Sequence, residues 1–441
     1  MLPIYLFIIV SVVFGGGPGK LDLGFVIWTF SALLLIITCA WQGWFTSFQS
    51  LPVTIRLGAA LWVGLTLVQL IPLPPGLWHS LPGSDLRLQI MGHFGFADNW
   101  LPLSLNPLDT TYTAIVSLGM LAFFMAVIQL SAQHIRYVCW AITAMVAVAT
   151  VVGVIQYTSS GQTLQFHSFA HRSSLIGFFA NKNHMGLMLA CMIPIGHALL
   201  QTLRGHENFK NYQIGSLIVL ILTLEIATNS RAGLGLAALA AILTIAKTAP
   251  KRRAVLFAGA AGIALVMTAL VAFVPTVSSV FERFGSTAED GRLTILTQAW
   301  PLLEQYYLLG SGFGSFSDVF NPTEKLEWLT PNYVNHLHND WLQLIVEGGL
   351  PAIVSAILVI RAVITSARRY RDGSTPGLSS NKFEQNLVWA GLLIILLFGL
   401  HSFVDYPARR IASLMLLIFA FALAFRPFVL ERQKISGDKM S

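Results

Sequence analysis

Asn335-His336-Leu337-His338-Asn339-Asp340-Trp341 gathers two imidazoles, two amides and a carboxylate where a long polar stretch meets an apolar helix. An imidazole exchanges its proton near neutral pH, so at the lip of a membrane span it can act as acid or base on a molecule arriving along the bilayer. Nine residues beyond His338, Glu347 opens the run Glu347-Gly348-Gly349-Leu350-Pro351. On an unbroken helix that is roughly 13 Å along the axis and half a turn around, too far for direct pairing with the imidazole. Pro351 lacks the N–H that would bond the Glu347 carbonyl, so a kinked helix with an internally paired carboxylate is expected.

Arginines supply a second kind of chemistry. Arg231 follows Asn229 and Ser230 where a helix restarts, so its guanidinium and the free N–H groups of that helix end can face one anion. A guanidinium matches phosphate through two hydrogen bonds and stays charged at any working pH. Arg172, Lys182, Arg292, Arg409 and Arg410 are predicted to lie on the same side of the membrane. Each candidate also has a plainer reading. Arg409 and Arg410 serve as interfacial anchors or as partners of Asp405; Arg292 starts a loop helix or pairs with Glu289. Asn181 and Asn183 cap the helix before His184, Asn339 or Asp340 caps the helix that follows, and His338 caps or stacks near Trp341.

Composition dictates what must position these groups. With 55% hydrophobic and 11% charged residues over 441 positions, and a mean hydropathy of +0.68, the chain is a polytopic membrane protein. Twelve segments are long and apolar enough or nearly so: residues 3–14, 24–42, 57–73, 112–131, 137–157, 184–203, 213–229, 232–247, 254–275, 341–364, 387–404 and 411–429. Asn229-Ser230-Arg231 splits two of them into a tight hairpin. The stretch from Met1 to Phe14 has neither a basic leader nor a small-residue cleavage site, and reads as a short first span. Cys39, Cys139 and Cys191 all sit in apolar runs, which argues against a disulfide framework or a thiolate metal site.

With both termini cytoplasmic, the larger share of the 27 Lys and Arg faces inward, including Lys251-Arg252-Arg253 and Arg368-Arg369. The formal net charge of +7 is therefore a topology signal, not a nucleic-acid site. The outer loops are 74–111, 158–183 and 276–340. The last holds an amphipathic segment from Leu293 to Leu309 and the turn Gly310-Ser311-Gly312-Phe313-Gly314. We expect one membrane domain over 1–441, with 276–340 forming a cap over the site.

Four patches share an order and a predicted side. They are Gly177-Phe178-Phe179-Ala180-Asn181-Lys182-Asn183-His184, Asn229-Ser230-Arg231-Ala232-Gly233, Gly291-Arg292 with the glycine turn after it, and His338-Asn339 followed by Gly349. Together they resemble the O-antigen ligase-like family of bacterial inner-membrane glycosyltransferases, which includes O-antigen ligases and related O-antigen and exopolysaccharide polymerases. Ala352 stands where the family's last signature has a second glycine, a departure from the ligase branch. His401-Ser402-Phe403-Val404-Asp405-Tyr406-Pro407 resembles a segment of the exopolysaccharide-polymerase members.

The resemblance implies an all-α polytopic fold of about 12 transmembrane helices with a partly helical periplasmic cap, similar to the GT-C type of membrane glycosyltransferase. It implies transfer of a glycan from undecaprenyl diphosphate to a hydroxyl of lipid A-core or of another glycan chain, at the periplasmic face of the inner membrane. Arg231 and Arg292 would hold the diphosphate and His338 would act on the acceptor hydroxyl. Asn181, Lys182, Asn183, His336, Asn339, His401 and Asp405 would be secondary substrate-binding residues. Fixed guanidinium groups and an imidazole suffice for an inverting displacement, so neither a cofactor nor a metal is expected. The competing class is a transporter or flippase for lipid-linked saccharides, which would place ionisable residues near the bilayer midplane on broken helices.

Overall fold

A long apolar stretch removed from water satisfies its backbone polar groups by closing them within a helix. The computed structural model of the protein follows that rule. It describes residues 1–17, 22–167, 171, 173–248, 291–325, 327, 334–378 and 381–438.

The chain opens with α1 (Leu2–Phe14), α2 (Leu23–Trp41) and α3 (Val53–Val68). An excursion follows, with the short helices α4 (Pro75–Trp78) and α5 (Ser84–His93) and an antiparallel pairing of β1 (Pro72–Leu73) with β2 (Leu101–Pro102). Next come α6 (Pro107–Ile128), α7 (Ala132–Thr158), α8 (Lys182–Leu200), α9 (Glu207–Thr228) and α10 (Arg231–Thr248). The remainder holds α11 (Gly291–Tyr306), α12 (Phe316–Phe320), α13 (Asp340–Arg371), α14 (Lys382–His401) and α15 (Ile411–Asp438).

Among the described residues, nine helices are long and apolar enough to cross a membrane, and α1 and α3 are shorter apolar helices. The protein is an all-α multi-pass membrane protein. Eleven of the twelve predicted spans therefore have a helix in place; the twelfth, 254–275, lies outside the described residues. Most of the start of the expected cap, residues 276–290, lies outside them too.

The bundle is organised around α8. Of its apolar window 89% is buried, against 22% for α13, so α8 is the axis while α13 faces outward. It packs on α7, α9, α10 and α14. Small residues permit its closest crossing, since a Cβ on Gly186 would lie 3.0 Å from the Gly233 Cα of α10.

The kink expected from Pro351 is a complete break. Gly349 has φ 58 and ψ −157, and the glycine turn at 310–314 fills the gap with its own backbone. Ser311 N donates to the Val346 carbonyl at 2.8 Å, Gly312 N to that of Glu347 at 3.0 Å, and Leu350 N to that of Leu308 at 3.2 Å. Gln69 Nε2 adds a second donor to the Glu347 carbonyl at 2.9 Å. A Cβ on Gly349 would lie 2.6 Å from Gly310 N, so glycine is required where the backbones meet. The glycine turn thus splices the segment that follows α11 into the break of α13.

Candidate active site

Four chain segments converge at one end of the bundle, and each is shaped by a local rule. Asn181 caps α8, its side chain accepting from Asn183 N at 2.9 Å, which sets Lys182, Asn183 and His184 on the first turn. Asn229 ends α9 in the left-handed conformation (φ 59), and Ser230 restarts the chain by accepting from Gly233 N at 3.0 Å. Arg231 is thus the first residue of α10, at its positive end. Asn339 caps α13 by accepting from Leu342 N at 3.0 Å. The fourth segment is the turn between α14 and α15, residues 402–410.

Asp405, with no exposed surface, is the hub. Its Oδ2 accepts from Asn183 Nδ2 at 2.6 Å and from Asn181 Nδ2 at 3.2 Å. Its Oδ1 accepts from Tyr406 N at 2.9 Å. His338 Nδ1 lies 3.3 Å from that same Oδ1, within ion-pair range but off the alignment of a hydrogen bond. His184 Nε2 is 3.9 Å away. Burial alone pushes the Asp405 carboxyl up. The His338 imidazole against it, with His184 and His401 nearby, outweighs burial and holds it well below the usual carboxylate range.

Asn183 also ties the hub to the hairpin, because Ser230 Oγ donates to Asn183 Oδ1 at 2.7 Å. Arg231 is covalently adjacent to Ser230. One continuous set of polar contacts therefore joins the Arg231 helix end to His338. His338 itself has φ 55, a conformation that costs an ordinary side chain energy and that its neighbours here enforce. Its side chain is 27% exposed, so the ring is held from within and open to a reactant.

Tyr406 organises the rings. His336 lies on it at 4.2 Å, while His338 and His184 meet it edge-on at 4.9 and 5.1 Å. The Arg410 guanidinium covers it at 5.2 Å, and burial raises the phenol pKa. His401 is buried and meets His184 edge-on at 6.4 Å. His336 Nδ1 is 3.2 Å from Gln343 Nε2. Leu337 N donates to Gln343 Oε1, which fixes the amide so that its nitrogen faces His336 and makes Nδ1 an acceptor.

A second cluster stands beside this one. Glu347 is fully buried; its carboxylate accepts from Gln343 Nε2 at 2.8 Å and is ion-paired with Arg409 Nη1. Arg409 Nε lies 3.3 Å from Asp340 Oδ1. Asp340 Oδ2 accepts from Ala408 N at 3.0 Å and from Ser402 Oγ at 3.1 Å.

Several plainer readings are overturned by these contacts. Asp405 does not pair with Arg409 or Arg410, since Arg409 turns to Glu347 and Asp340 while Arg410 covers Tyr406 and donates to the Gly17 carbonyl at 3.2 Å. Nor are these arginines lipid anchors, being 16% and 8% exposed. His338 meets Tyr406 edge-on; Trp341 donates instead to the Gly399 carbonyl. Asn339 is occupied by its cap and by the Phe403 carbonyl at 3.1 Å, and does not reach the hub. The structure thus brings together Asn181, Asn183, His336, His338, His401 and Asp405, with Lys182 and Arg231 on adjoining first turns. Arg172 and the Arg292 side chain lie outside the described residues.

Sequence reasoning missed three contributors. Tyr406 adjoins Asp405 and stood unread inside a recognised segment. Gln343 lies four residues before Glu347, a spacing that shares a helix face and was a usable signal. The turn at Gly15–Gly17 offered none, because it acts through backbone: Gly15 and Gly16 carbonyls accept from Ala412 N and Ala180 N at 3.1 and 3.0 Å, and Gly17 from Arg410. It holds the start of α8 beside the start of α15.

Residues 216–357, from within α9 to the first half of α13 beyond its break, match the family described as O-Antigen ligase. The match supports an O-antigen ligase-like family for this chain. No curated protein matches it. The matched segment includes Arg231, Arg292 and His338, whereas Asn181, Asn183, His401 and Asp405 lie outside it. The match supports glycan transfer of the ligase or polymerase type.

Proposed function

We propose that the protein moves a glycan from undecaprenyl diphosphate to a hydroxyl of lipid A-core or of another glycan chain, at the periplasmic face of the inner membrane, with both termini cytoplasmic. What supports this reading above all is the single polar contact path from the Arg231 helix end through Ser230, Asn183 and Asp405 to His338. In this reading it carries a fixed cation and a base on one surface.

Asp405 lies on the Nδ1 side of His338, so Nε2 is the nitrogen that takes the acceptor's hydroxyl proton. The acceptor oxygen forms its bond to the anomeric carbon as the bond to phosphate oxygen breaks, and undecaprenyl diphosphate leaves with the electron pair. Arg231 and Arg292 stabilise the charge growing on that diphosphate. Asp405 stabilises the imidazolium formed on His338. One displacement inverts the anomeric centre, and the two guanidinium groups supply the charge that a metal would otherwise supply. In this reading residues 276–340 form the cap over the site. Asn181, Asn183 and His336 position Asp405, Tyr406 and His338, and Lys182 and His401 line the surroundings.

The test is made in cells lacking the native gene and carrying Arg231→Ala or His338→Ala. Both variants should abolish ligated or polymerised product while lipid-linked donor accumulates on the periplasmic side. Donor accumulating on the cytoplasmic side would identify a flippase and end the proposal.

A further inference from the structure

The excursion between α3 and α6 takes no part in the proposed chemistry, yet it is tightly folded. Its base is closed by Pro72 opposite Pro102 and Leu73 opposite Leu101. Trp78 is fully buried and donates to the Asn99 carbonyl at 2.9 Å, and His79 Nε2 lies 2.9 Å from the Ala97 carbonyl. Arg87 stacks on Trp78 at 5.3 Å and donates to the Pro102 carbonyl at 2.8 Å, so the arginine of α5 is turned inward.

The open part of α5 carries a row of large apolar side chains, with the exposed Asp85, Gln89 and His93 beside them. Leu86, Ile90 and Phe94 recur at every fourth position and are 50%, 45% and 66% exposed. Gly95 (φ 76) reverses the chain, and Phe96 and Trp100 extend the surface. Soluble surfaces rarely leave so many large side chains contiguous in water. The lobe hangs between two apolar helices whose own residues at this end, Val68, Ile71 and Leu108, are equally open. The lobe is thus joined at both ends to helices that leave large apolar side chains open. A helix with an apolar stripe and aromatic residues at its rim is suited to lie in the plane of a membrane interface.

We propose that residues 84–100 form a paddle seated in the bilayer leaflet on the side of the candidate site, with Leu86, Ile90, Phe94, Phe96 and Trp100 among the lipids. The paddle is bound to the outer segment: Leu105 N donates to the Ser311 carbonyl at 2.8 Å, and Tyr306 of α11 packs against Gly83. It thereby sets the height of that segment over the membrane independently of any substrate.

The native cysteines are buried, which leaves introduced ones free for selective labelling. Full-length protein carrying Leu86→Cys, Ile90→Cys or Phe94→Cys, with Asp85→Cys and Gln89→Cys as the polar set, is spin-labelled in phosphatidylethanolamine–phosphatidylglycerol vesicles. Labels at 86, 90 and 94 should be relaxed more by oxygen than by a water-soluble nickel chelate, and those at 85 and 89 the reverse. Preference for nickel at the apolar set would place the lobe in water; protection from both agents would mean that protein covers the stripe. Either result overturns the proposal. An unlabelled check uses the same vesicles with brominated acyl chains, where Trp100→Phe should remove a measurable part of the lipid-dependent tryptophan quenching. Unchanged quenching also overturns it.

Discussion

Two fully buried carboxylates lie at the same end of the bundle, and they are served by different partners. Glu347 is met by the fixed cation Arg409 and by the Gln343 amide. Asp405 is met by the amides of Asn181 and Asn183 and by the imidazoles of His338 and His184. A guanidinium does not change charge at working pH, so the Arg409 contact to Glu347 acts as a fastening. It binds the broken α13 to the turn that follows α14. An imidazole exchanges its proton, so the Asp405 cluster can take part in a reaction. Two carboxylates of similar burial are thus separated by whether their partner titrates.

The sharpest way to break this comparison is His338→Asn. Asparagine tolerates the left-handed backbone that His338 adopts but cannot act as a base. Turnover in membranes should fall about 10²- to 10⁴-fold with thermal stability retained. Retained turnover would move the base elsewhere. Next comes Arg409→Met, which strands a buried carboxylate and should cost about 3–5 kcal/mol of stability, read as detergent-solubilised thermal unfolding. Adding Glu347→Gln to it should recover much of that loss. A stable but inactive Arg409→Met protein would place Arg409 on the substrate and erase the distinction between the two clusters.

Asp405→Asn tests the other carboxylate at a smaller scale. Its hydrogen bonds to a charged group contribute about 1.5–3 kcal/mol, so turnover should drop about 10- to 100-fold. The sign of the pH dependence follows from the depressed carboxyl. Its contribution to stability is complete above the ordinary aspartate value near about 3.9 and fades only as pH falls towards the lower folded-state value. The stability gap between wild type and Asp405→Asn should therefore hold from about pH 8 to 5 and close only in stronger acid. A gap that closes near pH 6 would show that Asp405 titrates with its imidazoles.

The spans and the Asn229-Ser230-Arg231 hairpin were legible because length, hydropathy and capping chemistry act locally. The kink at Glu347 was legible too, since proline removes a definite donor. What closes the kink was not. Gln69, Gly312 and Arg409 reach Glu347 from segments far off in the chain, and two of these contacts engage its backbone carbonyl. Proximity in sequence misled at Asp405. The turn from Asp405 to Arg410 sends neighbouring side chains in different directions, one to α8, one to α13 and one over Tyr406. That the Gly15–Gly17 turn ties two helices together left no trace in residue types, because its carbonyls do the holding.

Asn339 marks the boundary between the two clusters and carries the smallest prediction. It follows His338 directly in a family signature, yet its side chain is spent on the Leu342 N–H and the Phe403 carbonyl. A lost helix cap costs typically about 1 kcal/mol, so Asn339→Ala should lower thermal stability modestly. Asn339→Asp keeps the capping oxygen and should restore most of that stability, although its lost donor leaves the Phe403 carbonyl unmet. Both variants should turn over within about threefold of wild type, because neither touches Asp405 nor the open edge of His338; a threefold change is about 0.7 kcal/mol of barrier. A loss for Asn339→Ala comparable to that for His338→Asn would put the amide on the substrate, and the reactive surface would then extend from Asp405 towards Phe403.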